Sequence, residues 1–344
     1  MTRRIALLAH EGLPDRAKTA VGVLRYADAD VVAVVAREIA EADPDARVAD
    51  YVPDVPDVPD APIVGRVADA PDFDALVIGV APIGGGFDES WRPDVRTALE
   101  AGADVVAGLH YFLADDEEFA RLAAEHGGEL RDVRRPPDDL TVAEGRARDL
   151  DAEIVLTVGT DCSTGKMTTT RELYEAARER GVDAAFVPTG QTGIIVEDRG
   201  IPVDRTVSDF TAGAVEQMCV KRADHDYLFV EGQGSIIHPA YSAVTTGLLH
   251  GAMPDSLVMC HDAGREAIHG YESFEIPNPG YVAEMYESLA EPIAPTEVVA
   301  GALNTSGLDG EAATEATKRY RAQLDAPVAD PIRDGPDALL EAIL

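Results

Sequence analysis

A glycine-bounded loop in the middle of the chain has the spacing of a phosphate-binding loop. It runs from Gly159 to Gly165 and is followed directly by Lys166. An apolar stretch before the loop predicts a buried strand, and the threonines after Lys166 predict the start of a helix. Backbone N–H groups, the positive end of that helix and the lysine ammonium would then converge on one small volume, which suits a polyphosphate. Lys166 is one of only four lysines in 344 residues, so its position is informative.

Every residue of this segment is therefore a candidate contact for a phosphate-bearing cofactor. The candidates are Gly159, Thr160, Asp161, Cys162, Ser163, Thr164, Gly165, Lys166, Met167 and Thr168. Met167 stands where a serine or threonine normally ligates Mg²⁺, and a thioether is a poor ligand for a hard cation. Two interpretations stay open: either Thr168, about 100° further round the helix, ligates the metal, or the loop binds phosphate without a tightly held metal.

A carboxylate follows a second apolar stretch that predicts a buried strand. Glu231 comes directly after Tyr227–Val230 and stands in a glycine-rich turn. A carboxylate at the carboxyl end of such a strand can hold Mg²⁺ directly or through water, although it can equally cap the turn. We therefore predict Glu231 as a metal ligand together with Thr168.

Further polar residues are candidates for proton transfer and for substrate binding. Lys166 is expected to stabilise developing negative charge, and Glu231 or His238 to act as the general base. A loop histidine is more often simply hydrogen-bonded. Loops after the strands beside the phosphate loop supply the predicted substrate contacts, which are Gly190, Gln191, Thr192, Gly232, Gln233 and Gly234. Asp161, Asp204 and Asp209 are further candidates for a metal or amine contact, although in so acidic a chain a single aspartate more often lies on the surface without such a role.

The remainder of the chain must bring these loops to one edge of a sheet. Short apolar runs alternate with helical patterns from residue 1 to about residue 133, and the alternation restarts at residue 153. Such alternation predicts an α/β fold whose parallel sheets bind ligands at the carboxyl ends of their strands. The charged, proline-containing segment 134–139 predicts a linker that buries nothing. We therefore predict a Rossmann-like α/β domain over residues 1–140 and a doubly wound α/β domain over residues 141–344.

Two glycine-containing segments of the first domain also follow predicted strands. They are Gly84–Gly86 and Gly108–His110, and either can form a nest of N–H groups for an anion. Neither has the glycine spacing of a dinucleotide-binding fingerprint. Docking against the second domain is the better interpretation of both.

The composition restricts the partners and the habitat. Acidic side chains outnumber basic ones by 63 to 29, and the net charge of −34 repels nucleic acid and anionic lipid. Such a surface is typical of a halophilic protein, since molar salt screens self-repulsion over about 3 Å; an acidic enzyme from an ordinary habitat is the alternative. Three scattered cysteines and the lack of a membrane-length apolar stretch predict a soluble, cytoplasmic protein that acts on a small-molecule substrate. Whether it forms a homo-oligomer stays open.

Parts of the second domain resemble known nucleotide-dependent enzymes. The loop Gly159–Lys166 and the turn Val230–Gly234 are similar to the phosphate loop and the Val-Glu-Gly-x-Gly turn of dethiobiotin synthetase and the cobyrinate amidating enzymes. The segment Ala302–Thr305 resembles the strand end at which that group contacts a nucleotide base. The resemblance implies a P-loop NTPase-like second domain with Asn304 as a nucleotide contact.

Over nearly its whole length the chain resembles a two-domain P-loop family formerly of unknown function, some of whose members are D-glutamate N-acetyltransferases of the DgcN type. The resembling segments are Lys18–Tyr26, Gly79–Gly85, Gly108–His110 and Lys166–Thr169. The resemblance implies transfer of acetyl from acetyl-coenzyme A (acetyl-CoA) to a small acidic amino acid. Two alternatives stay open: a kinase or ligase of the dethiobiotin synthetase type that uses ATP with Mg²⁺, and a nucleotide-binding module without turnover.

Overall fold

The computed structural model describes residues 2–13, 17–53, 55, 58–82 and 84–344. The chain divides into two compact units. Unit 1 consists of Met1–Pro136 and Gln191–Arg205, and unit 2 consists of Pro137–Gly190 and Thr206–Leu344. Each unit has a six-stranded sheet in which all pairings are parallel, which confirms the predicted α/β class.

The described strands are short, as is usual for parallel sheets covered by helices. They are β1 (Arg4–Leu8), β2 (Asp30–Val35), β3 (Ile63–Val64), β4 (Ala75–Ile78), β5 (Asp104–Ala107), β6 (Leu130–Asp132), β7 (Glu153–Gly159), β8 (Ala184–Val187), β9 (Tyr227–Val230), β10 (Ser256–Asp262), β11 (Ala267–Ile268), β12 (Tyr271–Glu275), β13 (Glu297–Asn304) and β14 (Val328–Ala329).

Helices alternate with the strands through most of the chain. They are α1 (Lys18–Tyr26), α2 (Arg37–Ala42), α3 (Val48–Tyr51), α4 (Arg92–Glu100), α5 (Glu117–His126), α6 (Lys166–Glu179), α7 (Gln191–Glu197), α8 (Ser208–Val220), α9 (Ser242–Ala252), α10 (Pro279–Ala290), α11 (Gly310–Leu324) and α12 (Asp337–Leu340). Single 3₁₀ turns lie at Val67–Asp69, Glu89–Trp91, Leu113–Asp115, Ala147–Asp149 and Val203–Arg205.

The sheet of unit 1 has the strand order β3-β2-β1-β4-β5-β6, which is the order of a Rossmann sheet. Its four inner strands β2, β1, β4 and β5 are largely apolar and buried, as is usual for a parallel sheet covered on both faces. The segment 191–205 joins this unit although it follows β8 of unit 2 in sequence. Ile194 of α7 lies in the core of unit 1, and the Oγ1 atoms of Thr19 and Thr192 are 3.0 Å apart.

Two sequence-based expectations are wrong in this region. The residues Gly190 to Thr192 were expected to lie in a loop, but α7 begins at Gln191 because its apolar residues pack into unit 1. The linker was expected to bury nothing, yet Arg134 is only 8% exposed. Its Nη2 donates a hydrogen bond to Gln191 Oε1 at 2.7 Å, so this arginine is part of unit 1 rather than of a solvated connection.

The sheet of unit 2 has the order β14-β13-β10-β7-β9-β8. The strand β7, which precedes the phosphate loop, lies in the middle of the sheet, with β9 on one side and β10 on the other. The carboxyl ends of these three strands therefore meet at one edge, as predicted. The helix α6 ends at Glu179, and Gly181 has a left-handed φ of 81°, the conformation in which a glycine commonly ends a helix.

Several elements of unit 2 were not predicted from the sequence. Among them are α9, α10 and the antiparallel hairpin of β11 and β12, whose second strand is exposed throughout. Among the described residues, no helix is both long and apolar enough to cross a lipid bilayer.

Candidate functional site

The phosphate loop connects the carboxyl end of β7 to the first residue of α6. Ser163 and Gly165 have φ values of 58° and 94°, so the chain makes a left-handed turn immediately before the helix. The Lys166 side chain folds back over the loop, where its Nζ donates a hydrogen bond to Asp161 O at 2.6 Å and lies 3.4 Å from Thr164 Oγ1. Burial lowers the pKa of Lys166. A phosphate beside this ammonium would offset the cost of that desolvation.

The strand and helix that flank the loop are held by buried hydroxyl groups. Tyr286 donates a hydrogen bond from its hydroxyl to Gly159 O at 2.9 Å. The Oγ1 atoms of Thr157 and Thr170 are 2.8 Å apart, and Thr170 also donates to Lys166 O at 2.7 Å. Because these groups are buried and bonded, they fix the direction in which the helix leaves the loop.

Asp161 lies within the loop. Its carboxylate is fully buried, and both of its oxygens accept hydrogen bonds that hold the loop together. Its Oδ1 accepts a hydrogen bond from Cys162 N at 2.7 Å, and its Oδ2 accepts from His269 N at 2.8 Å. Arg265 places Nη1 3.0 Å from the same Oδ2 and donates to Cys162 O at 2.5 Å. The negative charge of Asp161 is thus neutralised by a guanidinium from a distant segment, so it does not repel an anion in the loop.

One set of potential metal ligands occurs at this place among the described residues. Atoms of Asp161, Cys162 and His238 lie within 4.8 Å of one another. A cation there would have to share the Asp161 carboxylate with the Arg265 guanidinium, which is 3.0 Å away. Like-charge repulsion at that distance disfavours a metal, so we assign these side chains to holding the loop.

Glu231 joins two loops of unit 2. Its Oε2 accepts hydrogen bonds from Thr189 N at 3.0 Å and Gly190 N at 3.1 Å. Its Oε1 accepts a hydrogen bond from Gln233 Nε2 at 2.9 Å. The structure therefore brings Gly190, Glu231 and Gln233 together, as expected for neighbouring strand ends. The carboxylate is buried and holds the loop after β8 against the turn after β9.

Gly232 lies where this turn touches the phosphate-loop strand. Its N–H donates a hydrogen bond to Thr157 Oγ1 at 3.0 Å. A Cβ at this position would lie 1.7 Å from Thr157 O and 3.1 Å from Lys166 Cδ. Glycine is thus required by close backbone approach. The turn continues through Gly234, which has a left-handed φ of 66°.

His238 is completely enclosed. Its Nδ1 accepts a hydrogen bond from Ala240 N at 3.1 Å, and its Nε2 is 3.9 Å from Asp161 Oδ1. The rings of Tyr241 and Tyr271 lie 4.6 Å and 5.2 Å from the imidazole. Burial lowers the pKa of His238, so the ring is neutral beside the loop.

The carboxyl ends of β10 and β13 lie at the same edge of the sheet, on the side of β7 opposite to β9. His261, at the end of β10, has its Nδ1 2.8 Å from Thr160 Oγ1, and burial lowers its pKa to about 4. Asn304 ends β13, where its Oδ1 accepts a hydrogen bond from Ser306 N at 3.1 Å. It lies two strands away from β7 at the same edge.

The other predicted contacts are more scattered. Met167 and Thr168 are partly exposed on the first turn of α6. The predicted substrate residues Gln191 and Thr192 belong to unit 1, whereas Gly190, Gly232, Gln233 and Gly234 belong to unit 2. Sequence reasoning missed Arg265, because nothing near it in the chain indicates that it pairs with a residue about a hundred positions earlier.

Comparison with known proteins gives a consistent assignment for both units. Residues 141–340 match the model of a domain of unknown function, the DUF1611 C-terminal P-loop domain, and residues 41–136 match the DUF1611 N-terminal Rossmann-like domain. A crystal structure of a DUF1611 family protein from Anabaena variabilis is similar with a TM-score of 0.93 and 39% identity, over 99% of both chains. These matches confirm the predicted order of a Rossmann-like domain followed by a P-loop domain.

Two curated relatives carry a functional name. A protein of Pseudoalteromonas sp, named D-glutamate N-acetyltransferase, is 36% identical over 266 residues, which cover 77% of this chain and 80% of the relative. A protein of Tritonibacter scottomollicae with the same name is 36% identical over 281 residues, which cover 80% of this chain and 83% of the relative.

Proposed function

The chain belongs to the DUF1611 family, and on that premise we propose that it is an N-acetyltransferase that transfers acetyl from acetyl-CoA to the amine of a small acidic amino acid of the D-glutamate type. The observation that carries the proposal is the pair of relatives named D-glutamate N-acetyltransferase. Their similarity extends over about four fifths of each chain, so it includes both domains.

The phosphate loop would bind the phosphates of the coenzyme. The buried Lys166 ammonium, the backbone N–H groups of the loop and the amino end of α6 supply positive potential at one place. Met167 replaces the usual Mg²⁺ ligand, and the Glu231 carboxylate is engaged by three donors of its own unit. These features support a loop that binds the coenzyme pyrophosphate without cleaving it. A phosphate that is bound but not transferred does not require the metal ion that phosphoryl transfer requires.

Acetyl transfer needs little beyond positioning and proton transfer. The neutral amine attacks the thioester carbonyl, a carbon–nitrogen bond forms, and the carbon–sulfur bond breaks with release of the thiol. Glu231 and His238 are both buried and both accept hydrogen bonds from backbone N–H groups. This geometry supports a positioning role for them next to Lys166.

The test is to follow coenzyme A release and product mass with D- and L-glutamate and D- and L-aspartate in molar KCl. Lys166→Ala should lower kcat/KM by roughly 10- to 100-fold, as expected for loss of a charge-assisted contact. It should also abolish thermal stabilisation by coenzyme A and acetyl-CoA. Lys221→Ala is the matched control, because Lys221 is exposed at the end of α8.

The same assay with ATP and Mg²⁺ tests the two alternative functions of the loop, which are an ATP-dependent kinase or ligase and a binding module without turnover. Release of ADP that depends on Mg²⁺ and on an amino acid would assign a kinase or ligase instead. Stabilisation by nucleotides without any product would assign a binding module.

A further inference from the structure

Unit 1 contains a cluster of charged side chains that the phosphate loop does not account for. His110 follows β5 and Arg134 follows β6, and these two strands are neighbours in the sheet. Asp204 comes from the 3₁₀ turn at the end of the segment 191–205. Its Oδ2 lies 3.3 Å from Arg134 Nη2 and 3.9 Å from His110 Nε2. The cluster therefore occupies the carboxyl edge of the sheet, where open α/β sheets bind their ligands.

The position of His110 is determined by a glycine. Its backbone N–H donates a hydrogen bond to Gly85 O at 2.8 Å. Gly85 has a left-handed φ of 62°, and a Cβ there would lie 2.3 Å from Cδ2 of the His110 ring. Gly85 belongs to a segment that the sequence also suggested as an anion nest, and in the structure it packs directly against the imidazole of His110.

Three charged groups act on the imidazole of His110. Burial is the largest effect on its pKa and lowers it, and the positive charges of Arg134 and Arg205 lower it further. Asp204 opposes them, but the net effect is a lowered pKa. The ring is therefore neutral near pH 7 and can accept a proton.

Asp204 has an unsatisfied carboxylate oxygen. Its Oδ1 is buried and has no hydrogen-bond partner among the residues that the structure describes, whereas Oδ2 faces Arg134 and His110. A buried charged oxygen without a donor is costly and uncommon in folded proteins. An ammonium group would supply the missing donor.

The charge of this cluster complements an acidic amino acid. Arg134, Arg205 and Asp204 together leave one positive charge in excess, in a chain whose net charge is −34. An acidic amino acid has two carboxylates and one ammonium, so it carries one negative charge in excess. Arg205 is exposed and has its guanidinium 5.2 Å from the centre of the Phe112 ring, which orients it without neutralising it.

We propose that this cluster in unit 1 binds the acceptor amino acid. Asp204 Oδ1 accepts a hydrogen bond from the ammonium, and Arg134 and Arg205 bind the two carboxylates. His110 accepts a proton from the bound ammonium, which leaves the neutral amine that acetyl transfer requires. The inference rests on the proposed acetyltransferase function and adds to it the site of the second substrate.

The proton balance follows from this arrangement. The bound ammonium gives one proton to the neutral imidazole of His110, so the amine becomes neutral and the imidazole becomes an imidazolium. The imidazolium then releases that proton to solvent.

The first test measures binding without turnover, by calorimetry in the presence of saturating coenzyme A. D-glutamate is compared with glutarate, which has both carboxylates but lacks the amine. Asp204→Asn should weaken D-glutamate binding by roughly 10- to 100-fold and leave glutarate binding nearly unchanged. Asp198→Asn is the matched control, because Asp198 belongs to the same segment and pairs with Arg131. Equal binding of both probes to the wild type, or no binding of either, overturns the proposal.

The second test uses steady-state kinetics. Arg205→Ala should raise KM for the amino acid by roughly 10- to 100-fold and leave KM for acetyl-CoA within about twofold. Arg131→Ala, an arginine of β6 that pairs with Asp198, should change neither. His110→Ala should lower kcat by roughly 100-fold or more, with partial recovery on adding imidazole, as expected for loss of a general base. Unchanged kcat in His110→Ala overturns the assignment of the base.

The two proposals fail in different ways. If the wild type acetylates an acidic amino acid and the Asp204 and Arg205 variants behave like their controls, the unit 1 site is wrong and the activity stands. If no amino acid is acetylated but Asp204→Asn removes the preference for D-glutamate over glutarate, the site stands and the activity is wrong.

Discussion

The carboxyl edges of the two sheets are constructed differently. At the edge of unit 2, the buried carboxylates beside the phosphate loop are matched within the unit: Asp161 by Arg265, and Glu231 by backbone N–H groups. At the edge of unit 1, none of the residues that the structure describes donates a hydrogen bond to the buried Oδ1 of Asp204. The first arrangement suits a ligand recognised by backbone N–H groups, and the second suits a ligand recognised through its own charges.

The difference has a physical origin in what the ligands are. A phosphate presents oxygens in every direction, so a loop of N–H groups can bind it wherever glycines let the backbone approach closely. An amino acid presents an ammonium and carboxylates at fixed positions, and only side chains of opposite charge can distinguish them. Mutations in unit 2 should therefore act by disturbing its close packing or its internal charge matching, and mutations in unit 1 by removing charges that a ligand would contact.

The largest effect is expected from Gly232→Ala. The new Cβ would lie 1.7 Å from the backbone oxygen of Thr157, which cannot move without displacing β7. We expect the free energy of unfolding to fall by about 3 kcal/mol and stabilisation by coenzyme A to disappear. Gly307→Ala is the control, because no described heavy atom other than those of its chain neighbours lies within 4 Å of its added Cβ. Equal melting temperatures for the two variants would show that close packing does not govern this edge.

A nearly equal effect is expected when one partner of the buried ion pair is removed. Arg265→Met leaves the charge of Asp161 buried and should lower the free energy of unfolding by about 3 kcal/mol, as measured by denaturant titration. Adding Asp161→Asn should recover part of this loss. Arg121→Met, which breaks an exposed pair with Glu125, should cost less than about 1 kcal/mol. An equally small loss for Arg265→Met would contradict internal charge matching in unit 2.

A smaller effect concerns pH. Burial lowers the pKa of His261 to about 4 in the folded chain, below its usual value of about 6.5. Between these values the unfolded chain binds more protons, so stability is complete above pH 6.5 and is lost as the pH falls toward 4. At pH 5 this loss amounts to about 2 kcal/mol, and we expect it to vanish in His261→Gln.

The pH dependence has its own control. His126→Gln changes an exposed histidine of unit 1 and should keep the slope, because His261 is still present. The pKa values of His110 and His238 are also lowered, so some slope of the same sign should persist in His261→Gln. A variant and wild type with identical slopes would place the acid sensitivity elsewhere in the molecule.

The smallest effect is expected from Met167→Thr, which restores the hydroxyl that ordinary phosphate loops use for Mg²⁺. Coenzyme A binding should change by less than about twofold, because Met167 is partly exposed. The affinity for ATP with Mg²⁺ should rise, as measured by thermal stabilisation. If the wild type already hydrolyses ATP with a firm requirement for Mg²⁺, the metal-free interpretation of the loop is wrong.

Much of unit 2 could be predicted because its determinants are local. Gly159, Gly165 and Lys166 are neighbours in the chain, and the strand before them and the helix after them have clear periodicity. The turn at Glu231 was predicted for the same reason, since the carboxyl ends of adjacent parallel strands meet. The sequence could not predict that both oxygens of the Glu231 carboxylate accept hydrogen bonds from donors of the same unit.

The cluster in unit 1 could not be predicted in the same way. Gly108–His110 and Asp204 were noticed separately, but no local pattern connects them with Arg134, which was expected to be solvated. They come together because segment 191–205 belongs to unit 1, although the residues on either side of it belong to unit 2. Its helix α7 packs into the core of unit 1. That packing depends on the apolar face of one short helix and on the space that Gly108 leaves beside Gln191.

The amino-acid sequence alone specifies the alternation of strands and helices, the phosphate loop and the acidic surface, because each depends on neighbouring residues or on composition. The pairing of Asp161 with Arg265 and the meeting of His110, Arg134 and Asp204 emerge only when the chain is folded. Charges distant in sequence interact only after strand order and helix packing have brought their carbon chains within a few ångströms. Coulomb attraction and desolvation then decide which of those charges are matched and which are left for a ligand.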